Sequence, residues 1–94
     1  MPVYAIAQGT TVDRAMHDDY VAKAIPTLEK HGVKILTVTE EPEVIEGTIA
    51  NKRFVLLEFA SKAAFHAWYD SPEYRKILPL RLRSVPGTFV LIGG

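Results

Sequence analysis

Tyr20, Trp68, Tyr74 and Arg81 are the residues of this chain best suited to holding a small molecule. Aromatic side chains give a site large rigid contacts, and tyrosine and tryptophan add a polar tip. The planar guanidinium of Arg81 matches a carboxylate or phosphate through two parallel hydrogen bonds. With Tyr69 nearby in sequence, these residues suit a pocket between helices and sheet that takes a small anionic or carbonyl compound. Each also has a plainer use. The aromatics can fill an ordinary core or a dimer contact. Arg81 can sit solvated or ion-paired beside Arg75, Lys76 and Arg83.

Two further residues are candidates for acid–base chemistry. Glu58 is the lone acid in the apolar run Arg53–Phe59, on the face of Phe54 and Leu56. Burial would raise its pKa toward that of a useful general base, whereas a cross-strand or inter-subunit salt bridge would leave it structural. His66 is the second candidate. The three histidines, His17, His31 and His66, include no i, i+4 pair, so no metal site is expected. Ser71 lacks the glycine elbow of a nucleophilic serine and reads as a helix cap. Pro2 follows Met1, and with Met1 in place its nitrogen is an amide and cannot serve as a catalytic amine.

The elements that must position these residues follow from pattern and punctuation. Val3–Gln8 reads as a strand ended by Gly9. Asp13 caps a helix running to about His31, with Met16, Tyr20, Ala24 and Leu28 as its apolar stripe and Gly32 as its stop. Pro26 inside this helix removes a hydrogen bond to Ala22 and predicts a kink or early loosening. Val33–Thr39 alternates as a second strand, interrupted at Glu40-Glu41-Pro42, with Val44–Glu46 as a continuation. Arg53–Phe59 is the clearest strand. Ser61 caps a second helix carrying Phe65, Trp68 and Tyr69. Ser71-Pro72-Glu73 starts a short third helix, which Pro79 should break or kink. Thr88–Ile92 is the last strand.

The resulting order is β-α-β-β-α-β with an extra helical turn before the last strand. This predicts an α+β fold of the ferredoxin-like kind: a four-stranded antiparallel sheet with helices on one face, in a single domain spanning residues 1–94. Two of its strands are apolar on both faces. Phe54 and Leu56 oppose Val55, Leu57 and Phe59, and Val90 and Ile92 oppose Phe89 and Leu91. An antiparallel sheet with one wet face normally alternates apolar and polar residues. A second buried face requires a partner, so a homodimer packed sheet to sheet is expected.

Bulk properties narrow the remaining classes. Ninety-four residues form one small domain, which as a monomer buries only about 60–65% of its unfolded surface. The absence of cysteine removes disulfides and thiolate metal sites and suits a reducing, cytoplasmic setting. Eleven basic residues balance eleven acidic ones, so the electrostatic footprint of nucleic-acid binding is missing. No apolar run approaches the roughly 20 residues of a membrane span, and no signal-peptide pattern opens the chain.

Specific residues then meet a family pattern. Tyr20, Pro26, Gly32, Glu46-Gly47, Glu58-Phe59, Trp68-Tyr69-Asp70-Ser71-Pro72-Glu73-Tyr74 and Pro79-Leu80-Arg81 resemble domain of unknown function 1330, within the dimeric α/β-barrel superfamily. The segment Trp68–Arg81 is the most specific part. One departure concerns glycine. The family usually pairs glycines after the first helix and after the second strand, where this chain has Gly32-Val33 and Thr39-Glu40-Glu41-Pro42. The resemblance implies a ferredoxin-like dimer and no assigned cofactor.

The wider superfamily includes small monooxygenases that place a histidine ten residues after a strand glutamate. Counted from Glu58, that position holds Trp68, and His66 lies about 200° away round the helix. Three readings of function remain. One is a small-molecule site, as a binding module or a cofactor-free enzyme. Another is a non-enzymatic dimerisation or regulatory module without a ligand. The third is a cofactor-independent or haem-dependent monooxygenase-like enzyme.

Overall fold

The computed structural model describes residues 1–94. In chain order the elements are β1 (Val3–Gly9), α1 (Arg14–Lys30), β2 (Lys34–Thr39), β3 (Arg53–Phe59), α2 (Lys62–Tyr69), α3 (Pro72–Ser84) and β4 (Gly87–Gly93). The strands form one antiparallel sheet in the order β2-β3-β1-β4. This is the ferredoxin-like arrangement expected from the element order.

Local chemistry accounts for the helix boundaries. The Asp13 carboxylate accepts the Met16 N–H at 3.0 Å, satisfying one of the free donors that open α1. Gly32, at φ 66°, stops the same helix in the left-handed conformation that glycine adopts without strain. Ser61 caps α2 through Ala64 N–H, and Ser71 caps α3 through Tyr74 N–H. Pro26 does not end α1, which continues to Lys30.

The structure adds to or departs from the expected elements at four points. Pro79 does not terminate α3, which runs on to Ser84 over 13 residues. The proline is exposed, so its lost hydrogen bond falls on the solvent side of the helix. Val44–Glu46 belongs to no strand, because β2 ends at Thr39. β2 does stop before Glu40-Glu41-Pro42, but it carries a further irregularity at Leu36, where the pairing shifts between Ile35↔Leu57 and Thr37↔Leu56. The extra residue places Ile35 and Val38 on the same face of the sheet. Finally, the expected stripe of α1 holds at Ala24 and Leu28, with Tyr20 packed against the core, but the buried side begins at His17 rather than Met16 and includes Thr27.

The helices cover one face of the sheet. Val3, Ala5, Leu57 and Phe59 meet Ala24, Leu28, Phe65, Trp68, Tyr74, Ile77 and Leu78 in a single core. Trp68 is 1% exposed and Tyr74 fully buried, and their ring centroids lie 4.1 Å apart. Trp68 Nε1 donates to Thr27 Oγ1 at 3.0 Å, and Thr27 Oγ1 donates to the Ala24 carbonyl at 2.7 Å. This short relay locks α2 to α1. On the opposite face lie Tyr4, Ile6, Phe54, Leu56, Val90 and Ile92 by strand register, and Val90 and Ile92 are 48% and 50% exposed. The sheet is therefore apolar on both sides, with helices on only one.

Thr27→Val would keep the shape of the side chain and leave the buried indole N–H without an acceptor. A loss of about 1–3 kcal/mol in urea unfolding is expected. Unchanged stability would mean that this bond contributes nothing to holding the helices together.

Candidate functional site

The face of β1 beneath the helices shrinks along the strand, through Val3, Ala5, Ala7 and Gly9. At the Val3 end the aromatics fill the layer. At the Gly9 end the small side chains leave a cavity of about 190 Å³ between α1, α3 and the sheet. Its walls are mostly apolar and include Ala7, Ala24, Val55, Ile35 and Val38. The bulge at Leu36 is what brings both Ile35 and Val38 to this side.

The polar residues of the lining include His17, Tyr20, Arg53, Tyr74 and Arg81. Tyr20 from α1 and Tyr74 from α3 share a hydrogen bond of 2.8 Å between their hydroxyls. Arg81, two turns after Tyr74, stacks its guanidinium carbon 5.0 Å from the centroid of Phe89, and its Nε is buried without a partner. Arg53 opens β3 on the same face as Val55 and Leu57. Neither arginine belongs to any of the ion pairs in the structure, and no aspartate or glutamate lines the cavity. Two cations thus border an apolar space whose lining holds no carboxylate, with Glu40 acting on Arg53 from outside it.

The surroundings also set the protonation states. Burial raises the pKa of Tyr20 strongly, with Tyr74 adding to the effect. Burial raises Tyr74 as well, against the opposing pull of Arg81. Both phenols therefore remain protonated hydrogen-bond donors across the physiological range. Burial lowers the pKa of Arg53, with Glu40 opposing. His17 is 4% exposed, and both of its ring nitrogens lack a hydrogen-bond partner. Burial, then Arg53 and Arg14, push its pKa below 6.5, while Asp18 pulls the other way. The Asp18 carboxylate stands 3.5 Å from His17 Nδ1.

Of the residues singled out in the sequence, Tyr20, Trp68, Tyr74 and Arg81 line this one cavity. Glu58 and His66 do not. Glu58 lies on the opposite face of the sheet, 3.4 Å from Lys34 Nζ in a cross-strand ion pair. His66 is exposed on α2, with Nδ1 4.0 Å from Asp70 Oδ2. Neither reaches the cavity. Tyr69 stacks on Phe65 and lies under the Arg75 guanidinium, outside the cavity lining. His17 and Arg53 were not foreseen as site residues. Strand parity signals Arg53, since period two puts it on the face of Val55, Leu57 and Phe59.

With this geometry described, comparison with known proteins defines the family. The family described as Domain of unknown function (DUF1330) matches residues 2–94, and the chain belongs to it. No curated protein matches the chain. Several solved structures share the fold. A protein of unknown function from Rhodopseudomonas palustris is 17% identical, with a TM-score of 0.75 covering 97% of this chain and 78% of that one. SnoaB, a cofactor-independent oxygenase from Streptomyces nogalater, is 12% identical, with a TM-score of 0.72 covering 99% and 92%. A dimeric ferredoxin-like protein of unknown function from Jannaschia sp. is 14% identical, with a TM-score of 0.67 covering 98% and 96%. At such identities these likenesses define the fold and leave the chemistry to the residues of this chain.

The depressed pKa of His17 has a consequence for stability. Between its folded value and the ordinary 6.5, the unfolded chain binds the proton and the folded chain does not. Stability therefore rises with pH across that window and is lost as pH falls from about 6.5. His17→Gln should flatten this part of the profile in urea unfolding at pH 5 and pH 7. An equal slope in both proteins would show that His17 titrates normally.

Proposed function

We propose that this protein binds a small carboxylic acid with an apolar body, either as a binding module or as a cofactor-free enzyme. The observation that carries this reading is the pairing of Arg53 and Arg81, neither in an ion pair, with a cavity that has no carboxylate in its lining. The guanidiniums suit the acid group, the Tyr20–Tyr74 hydroxyl pair suits a neighbouring oxygen, and the apolar walls suit a hydrocarbon body. A cavity of about 150 Å³ holds benzene, so about 190 Å³ suits a body of similar size or slightly larger. Trp68 lies on the cavity wall and is the sole tryptophan, which makes its fluorescence a reporter of occupancy.

Native mass spectrometry of freshly purified protein is expected to reveal a small acid carried through purification. In fluorescence titrations, Arg81→Ala and Arg53→Ala should each weaken acid binding about 10- to 100-fold, the worth of a charge-assisted hydrogen bond of about 1.5–3 kcal/mol. Stability should change little. A loss of stability in both variants with no change in binding would reduce the arginines to packing residues and overturn the reading.

We further infer that the protein is a cytoplasmic homodimer joined through the open face of its sheet. The apolar side chains Tyr4, Ile6, Phe54, Leu56, Val90 and Ile92 support this, as does the dimeric ferredoxin-like protein from Jannaschia sp.. Each large side chain buried in such a contact contributes about 1.5–3 kcal/mol. The lack of cysteine supports the compartment, and no helix is long and apolar enough to cross a membrane. Sedimentation at micromolar concentration should show a dimer, and Ile92→Asp should shift it to monomer. A wild-type monomer would overturn the assignment.

A further inference from the structure

His17 is the one group at the cavity that acid binding leaves without a task. Its Nε2 has no partner and its Nδ1 meets only the Asp18 carboxylate at 3.5 Å, so the buried ring recovers little of the hydrogen bonding it loses with water, and such groups call for an explanation. The donors at the cavity also exceed what one carboxylate needs. A single guanidinium satisfies a carboxylate through two parallel bonds. The second guanidinium and the tyrosine hydroxyl pair then remain for another oxygen, and a carbonyl beside the carboxylate would place one there.

We propose that His17 is a general base for proton transfer at the carbon next to the carbonyl of a small 2-oxo acid held in this cavity. The proposal deepens the small-acid reading and rests on it. The imidazole takes a proton from that carbon. The electron pair of the broken C–H bond forms the C=C of an enolate, and the carbonyl π pair moves onto its oxygen. That oxygen is met by hydrogen bonds from the tyrosine pair and a guanidinium, which are fixed before the charge develops. The imidazolium exchanges its proton with solvent and returns one to the same carbon, so the acid is regenerated without any co-reactant.

The charges facing His17 favour the neutral imidazole that a base requires. On its own helix stand Arg14, Asp18 and Tyr20, from β3 comes Arg53, and Tyr74 and Arg81 of α3 line the same cavity. Burial and the two arginines, Arg53 and Arg14, outweigh Asp18 and hold the pKa of the imidazole below the ordinary 6.5, on the side that favours the free base.

The test uses the full chain with 4-methyl-2-oxopentanoate in D₂O, following loss of the C3 proton signal by NMR. Binding is read separately from Trp68 fluorescence with 4-methylpentanoate, which lacks the carbonyl. Wild type should accelerate exchange over buffer, with a rate that rises with pH to a plateau and a midpoint below about 6.5. His17→Gln should slow exchange by about 100-fold or more, the usual range for a general base, while binding 4-methylpentanoate as wild type does.

If wild type binds the acid without accelerating exchange, or shows no inflection below 6.5, the role of His17 fails and the small-acid reading stands. Equal exchange by a folded His17→Gln variant has the same meaning. If neither acid binds, both fall together.

Discussion

The constraint on which the rest depends is the tapering of β1. An interior strand that presents Val3, Ala5, Ala7 and Gly9 to the helices cannot fill the layer evenly. Protein interiors pack to crystal-like density where side chains allow it. At the Val3 end they do, through Phe59, Phe65 and Trp68. At the Gly9 end the backbone of β1 also meets the turn into β4 so closely that a Cβ on Gly87 would sit 1.9 Å from the Gln8 carbonyl oxygen. The chain thus draws its strands together at one end and leaves room above them. The cavity is a product of side-chain size along one strand.

The helices turn that space into a chemical environment. Thr27 fixes Trp68, Trp68 packs on Tyr74, and Tyr74 meets Tyr20 through its hydroxyl. Each link is buried or nearly so, and each joins a different pair of elements. The aromatic groups are therefore both core and cavity wall, so the two uses of these residues are not alternatives. The arginines differ in this respect. They lie outside the ion pairs that hold the surface together, where Arg14 pairs with Glu40, Lys30 with Glu73 and Lys34 with Glu58.

The strands, caps and helix starts could be read from the sequence because they depend on local chemistry. Arg53–Phe59, the Asp13, Ser61 and Ser71 caps, and Gly32 all follow from rules that act within a few residues. Where pattern and structure differ, accumulated register is a common physical origin. Steps of four advance 400° each, so a stripe of fours drifts 40° per step; the expected one meets the buried face at Tyr20, Ala24 and Leu28 and misses it at Met16. The buried face also takes in His17 and Thr27, which with Tyr20 and Ala24 alternate steps of three and four. The Leu36 bulge shifts one strand by one residue, a change that alternation alone cannot reveal. Arg53 was hidden by its place at the end of an apolar run, although its parity matched the inner face. Pro79 does not end α3, because a proline on the wet side of a helix loses a hydrogen bond that water replaces.

The bulge at Leu36 also bears on how this molecule avoids unwanted association. β2 is an edge strand, and an evenly paired edge is a template on which another chain can continue the sheet. The extra residue breaks the even spacing of outward N–H and C=O groups. At the other edge, β4 runs out at Gly93 with φ 95°, which turns the backbone away from extended geometry. Both margins are thus poor templates for open-ended strand addition, a safeguard against fibrous growth in a sheet that is apolar on both of its faces.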